Sequence, residues 1–108
     1  MEKFDVIIIG GGAVGLSAAL VLGRSRKRTL VCNLGEPRNA PSHESHSLFS
    51  RDGASPAELL RIGHEQLAPY ESVETKQERV VHAFKSKDHF EVELQNGTHL
   101  IARSLIIN

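Results

Sequence analysis

Gly10-Gly11-Gly12-Ala13-Val14-Gly15 has the spacing G-x-G-x-x-G, and glycines placed this way can wrap a main chain around a pyrophosphate. Gly10 permits a tight turn, Gly12 lets the backbone approach the phosphate oxygens, and Gly15 lets a following helix pack closely on a preceding strand. The anion would lie at the helix N-terminus, where amides without intrahelical acceptors and the helix dipole both favour negative charge. Three consecutive glycines are a large entropic cost if packing is all they serve. About twenty residues on, Asn33 stands where a dinucleotide site ordinarily carries Asp or Glu to accept from the adenosine ribose. Its amide oxygen can accept the same hydrogen bond without the charge, which predicts weaker ribose binding in an unchanged geometry.

Other residues with chemical potential are less organised. His43 and His46 form an H-x-x-H pair, but no cysteine, carboxylate pair or third histidine follows at ligand spacing, so no metal site is assigned. His64, His82, His89 and His99 are scattered and read as surface positions. The single cysteine, Cys32, excludes an intrachain disulfide and a Cys-x-x-Cys redox pair, and it sits in an apolar run. A reducing, cytoplasmic setting is the expectation. No catalytic residue is assigned.

The elements that must position the glycine motif follow from patterning. Phe4 to Ile9 is a β-branched run suited to a central parallel strand, and Ala13 to Leu22 is rich in helix formers. Thr29 to Asn33 supplies a second strand and completes a βαβ unit. Leu34 to Ala54 lacks periodicity, and a loop of that length in a small domain is usually functional. Ser55-Pro56-Ala57-Glu58 then reads as a capped helix start, with Leu59, Leu60, Gly63 and Leu67 on one face and Pro69 as the stop. A short segment near Val73 precedes three strand-like pieces, Arg79–Phe84, Phe90–Leu94 and Leu100–Ile107. Asn96-Gly97 predicts a two-residue hairpin between the last two.

Composition narrows the class. Thirteen basic residues balance thirteen acidic ones, so no nucleic-acid footprint is present. The one basic run, Arg24 to Arg28 around Ser25, falls where the first helix should end and is explained by the helix dipole. The apolar stretch Val6 to Gly23 is broken by glycines and preceded by Asp5, so it divides into strand, turn and helix and is not read as a membrane span.

The stretch "DVIIIGGGAVGLSAALVLGRSRKRTLVCNLGEPRNAPSHESHSLFSRDGASPAELL" closely resembles the N-terminal segment of thioredoxin-reductase-like flavoproteins of the pyridine nucleotide–disulfide oxidoreductase superfamily. The branch it is most similar to includes bacterial thioredoxin-reductase-like oxidoreductases and FAD-dependent dithiol oxidases. The most specific parts are the glycine motif, "GEPRNAPSH", "SRDG" and "SPAELL". This resemblance implies FAD, with NADPH expected only in a full-length relative. It implies an α/β fold with a Rossmann-like parallel sheet in the order 3-2-1-4 and a three-stranded antiparallel β-meander, as a truncated FAD-binding domain. Carried over by position, Gly11, Gly12, Ala13 and Val14 would lie along the pyrophosphate, and Asn33 would face the ribose. The backbone of Leu34, Gly35, Glu36 and Arg38 would line the adenosine side. Arg38 and Asn39 would enter the long loop, His46 would stand near the flavin, and Val80 would offer backbone hydrogen bonds to adenine. Ala13-Val14 replaces the Pro-Ala common in the family, and both pairs suit a helix start.

In the family, the last strand of this segment runs into an Ala-Thr-Gly turn, a nicotinamide domain bearing Cys-x-x-Cys, and a returning part of the FAD domain. "SLIIN" stops where that turn would begin, so residues 1–108 are expected to be the N-terminal part of an FAD-binding domain, inactive alone. The alternative is a non-catalytic dinucleotide-binding module or a truncated remnant that associates with another chain. A second chain completing the fold and a homodimer are both left open, whereas nucleic acid and membrane are not expected partners.

Overall fold

The computed structural model describes residues 2–10, 12–33 and 56–107. In chain order the elements are β1 (Glu2–Ile9), α1 (Ala13–Arg24), β2 (Thr29–Cys32), α2 (Pro56–Leu67), β3 (Val73–Lys76), β4 (Val80–Ser86), β5 (His89–Leu94) and β6 (His99–Ile107). All six strands join one mixed sheet in the order β3-β2-β1-β6-β5-β4. β3, β2, β1 and β6 are mutually parallel, while β6, β5 and β4 run antiparallel. The expected order of four parallel strands therefore describes only one half of the sheet. The meander is continuous with this sheet: its last strand, β6, is itself the fourth parallel strand, and β5 and β4 pair on in order beyond it.

β1 lies in the middle because its β-branched side chains are covered on both faces. Val6, Ile8, Val31 and Ile106 pack with Leu16 and Ala19 of α1 and with Ile62 and Leu67 of α2. On the other face, Phe4, Ile7, Leu30 and Cys32 pack with Val92, Leu94, Leu100 and Ala102, so no described helix contributes and the meander strands are the covering elements. At about 25 cal/mol per Å² of apolar surface, each such fully buried Ile or Leu contributes about 1.5–3 kcal/mol.

Phe4 and Ile7 share a face although strand alternation would separate them. The amides of Asp5 and Val6 both donate to the Arg28 carbonyl, at 2.8 and 3.2 Å, which is the pattern of a β-bulge. The side-chain parity of β1 changes there, and it changes at the same level of β6, where Ala102 and Leu105 join one cluster and Ile106 the other. Below the bulge, Arg28 ties the strand down: its guanidinium donates to the Lys3 carbonyl at 2.6 Å, pairs with Glu2 at 2.5 Å, and lies 4.5 Å from the Phe4 ring centroid. Its backbone N–H donates to Asp5 Oδ2 at 2.9 Å.

Element boundaries differ from the sequence expectation in explicable ways. α1 continues two residues past Leu22, to Arg24, and Gly23 within this last turn lies against Tyr70, where a side chain would not fit. On α2, Ile62 and Leu67 are the buried anchors, and Ile62 was absent from the expected face. The turn between β5 and β6 holds three residues, Gln95 to Gly97, instead of two: Leu94 N–H donates to Thr98 O at 2.8 Å, and Gly97 takes φ +90°. This is the longer hairpin solution, a turn closed by a left-handed residue.

Candidate cofactor site

The glycine turn lies at the C-terminal end of β1. Gly10 has φ +117°, a conformation that L side chains rarely adopt, and its N–H donates to the Cys32 carbonyl at 3.2 Å. The turn is thereby tied to the end of β2. Gly12 is the N-cap of α1 in an extended conformation (φ −103°, ψ −179°), and its carbonyl accepts the Leu16 N–H at 3.2 Å. Gly12 offers no side chain to cap this helix end, and the first turn carries no acidic residue. Such an end favours an anion through the helix dipole and the outward-pointing amides of its first turn. Gly15 is buried on the inner side of the helix, in keeping with close helix–sheet packing.

Asn33 follows β2 directly, with φ +60°. Asn tolerates this left-handed conformation better than most residues, so the backbone itself favours Asn here over Glu. Its N–H donates to the Lys76 carbonyl at 2.8 Å, which binds the end of β2 to β3. Val80, on the meander, packs against the cluster containing Cys32, together with Ile9. The Arg79 carbonyl accepts from Gln95 N–H at 2.8 Å, so in the strand alternation the peptide groups of Val80 turn away from β5, to the outer edge of the sheet formed by the described residues. A β-bulge between Val80 and His82 marks the spot.

Cys32 is buried beneath this site, and loss of hydration pushes its thiol up to about 12 from an ordinary 9.0. Lys76 opposes that shift and Glu78 adds to it, both less than burial. A thiol held protonated is not a nucleophile at neutral pH.

Gly10, Gly12, the start of α1 at Ala13, Val14 and Gly15, and Asn33 lie at the C-terminal ends of the adjacent parallel strands β1 and β2, whereas Val80 is on β4, three strands from β1 in the sheet. Gly11, Leu34, Gly35, Glu36, Arg38, Asn39 and His46 lie outside the described residues, as does the His43/His46 pair. Among the described residues no group of three or more metal-ligating side chains is present. His64, His82 and His99 are exposed, and His89 is half-buried, with Nδ1 3.4 Å from Asp88 and Nε2 3.5 Å from Glu91. No described helix is long and apolar enough to cross a membrane. The positive φ of Asn33 and the outer-edge position of Val80 carried no sequence signal beyond residue type.

Residues 5–88 match the sequence profile of the FAD binding domain. The chain belongs to that family. Its relatives include thioredoxin reductases. An oxidoreductase of Agrobacterium tumefaciens with a solved structure is 42% identical, with a TM-score of 0.77 over 97% of this chain and 36% of its own. The thioredoxin reductase tcpT of Claviceps purpurea is 32% identical over 95% of this chain and 33% of its length. A NADH dehydrogenase of Bacillus subtilis is 31% identical over 99% of this chain and 21% of its length. The chain spans about a third or less of the length of the relatives it matches. FAD is the cofactor of this FAD-binding segment. The glycine N-cap, the glycine turn and the lack of acid in the first helical turn fit its pyrophosphate.

Proposed function

We propose that residues 1–108 are the N-terminal, cofactor-holding part of a thioredoxin-reductase-like flavin oxidoreductase acting on dithiols or disulfides, and that they do not turn over alone. The observation that supports this best is the joining of the glycine turn to the end of β2 through the hydrogen bond from Gly10 to Cys32, which sets Asn33 beside a glycine-capped helix N-terminus.

The chain's residues have binding roles in this reading. Gly10, Gly11, Gly12, Ala13 and Val14 carry the pyrophosphate, and Gly15 seats the helix. Asn33 accepts from the adenosine ribose, Leu34, Gly35, Glu36 and Arg38 line the adenosine, and the Val80 backbone meets adenine. Asn39 and His46 extend the site toward the flavin. Bound FAD supplies the two-electron redox chemistry. With one cysteine, buried and protonated, this segment contains no dithiol of its own, so a redox pair and a nicotinamide domain would come from elsewhere in a longer protein or from a second chain. The setting would be cytoplasmic. That lone, unreactive thiol also favours the second reading, a dinucleotide-binding module without catalysis.

Thermal shift with FAD, ADP and NADH separates these readings, because only a ligand held by the folded state raises the midpoint. FAD is expected to raise it most. A larger shift with NADH would favour the binding module, and no shift with any of the three would sink both.

A further inference from the structure

Asn33 supplies only part of what an adenosine ribose needs. The 2′ and 3′ hydroxyls are two neighbouring donors, and the Asp or Glu usual at the end of the second strand has two acceptor oxygens for them. The Asn33 amide has one oxygen, and its other terminus is a donor. One hydroxyl is left for a second acceptor close to the end of β2.

β3 lies beside β2 in parallel register, with Cys32 opposite Lys76. Asn33 N–H donates to the Lys76 carbonyl at 2.8 Å, so the two strands are still bonded where they end. Glu78 is two residues past Lys76, a separation of at most about 7 Å. It is half-buried between exposed Gln77 and Arg79, so its side chain turns toward the body of the domain. Its charge is felt at the Cys32 thiol, which it helps to hold protonated, so the carboxylate lies on the β2 side of the chain. The nearby cation of β3 is directed back along the strand, with Lys76 Nζ 3.6 Å from Glu74 Oε2. On the other side of Asn33, the Cys32 carbonyl accepts from Gly10, in the turn that leads to the start of α1. Asn33 therefore stands between the glycine turn and the segment bearing Glu78.

We propose that Glu78 is the second ribose acceptor, taking the hydroxyl that the Asn33 amide leaves unmet. Asn33 and Glu78 together then replace one carboxylate, and the acid of the site is moved from the end of β2 to the segment after β3. This inference rests on the cofactor reading and adds to it a residue that the spacing from the glycine motif does not show.

Equilibrium titrations of the full chain with FAD, ADP and 2′,3′-dideoxy-ADP test it. Glu78→Ala should weaken binding of FAD and ADP by about fivefold or more, as expected for loss of a hydrogen bond to a charged group. The melting temperature of the apo protein should stay within a few degrees of wild type. Toward 2′,3′-dideoxy-ADP, which has neither hydroxyl, wild type and variant should bind alike, whereas a residue acting through the fold or on the phosphates would alter all three ligands together. Adding Asn33→Asp to Glu78→Ala should return FAD affinity to about the wild-type value. Unchanged FAD affinity in Glu78→Ala, or an equal loss toward all three ligands, would overturn the proposal and leave the cofactor reading standing. Absence of FAD binding by the wild type would remove that reading and this inference with it.

Discussion

Replacing Gly23 by alanine tests how tightly α1 is seated above the sheet. A Cβ built on Gly23 would lie 2.9 Å from Cγ and 3.1 Å from both Cβ and Cδ2 of Tyr70. Those atoms are at the root of the ring, so no rotation of a flexible tip relieves the overlap. Tyr70 itself is fixed, since its N–H donates to Leu67 O at 2.9 Å and its carbonyl accepts from Val73 N–H at 3.1 Å. Either α1 or the turn before β3 must move. Overpacking of this kind costs about 1–3 kcal/mol. Against it stands the helix propensity of alanine over glycine, at most about 1 kcal/mol and less near a helix end. The net expectation is a loss of about 1–2 kcal/mol. At about 4–8 °C per kcal/mol for a small domain, the melting temperature should fall by roughly 5–15 °C in calorimetry. An unchanged or raised melting temperature would show that helix propensity outweighs the contact, and the close seating of α1 would be wrong.

Two further outcomes are expected. Asn33→Asp keeps a residue type that tolerates φ +60° and restores the charged acceptor, so FAD should bind about fivefold tighter in an equilibrium titration; an unchanged affinity would remove Asn33 from the ribose. Cys32 should resist thiol reagents in the native protein at pH 8 and react once denatured. Because burial raises its folded value to about 12 while the unfolded chain ionises near 9.0, the unfolded state loses the proton first, and stability should fall as pH rises above 9 toward 12. Melting curves across that range should show a slope that Cys32→Ala reduces.

The parallel core was readable because its signals are local. A β-branched run, three glycines and an alanine-rich helix each favour one structure, and they agree with one another. The start of α2 was equally plain, with Pro56 at its first position. What escaped depends on distant partners. The bulge at Asp5 and Val6 arises from the single Arg28 carbonyl accepting from both amides, and no pattern in residues 2–9 shows it. The merging of meander and parallel sheet into one six-stranded sheet rests on β6 pairing with β1 on one side and β5 on the other. The first meander turn, at Lys87 and Asp88, lacks glycine, and Lys87 takes φ +55° without the usual residue for it. At the site, residue types suggested Asn33 as a ribose acceptor, while the structure adds a backbone reason for asparagine there. The edge position of Val80 depends on strand alternation set from Arg79 and Gln95.

The central claim is that the glycine-capped start of α1 holds the FAD pyrophosphate, and Gly12→Asp tests it most directly. The extended backbone of Gly12 suits an N-cap aspartate, which should leave the apo protein as stable as wild type or a few tenths of a kcal/mol more stable. The same carboxylate would occupy the place of the phosphates with like charge. An equilibrium FAD titration, paired with melting curves of both apo proteins, should show binding by wild type and at least about tenfold weaker binding by the folded variant. Equal FAD affinity in the two proteins, or no binding by wild type, would contradict the account.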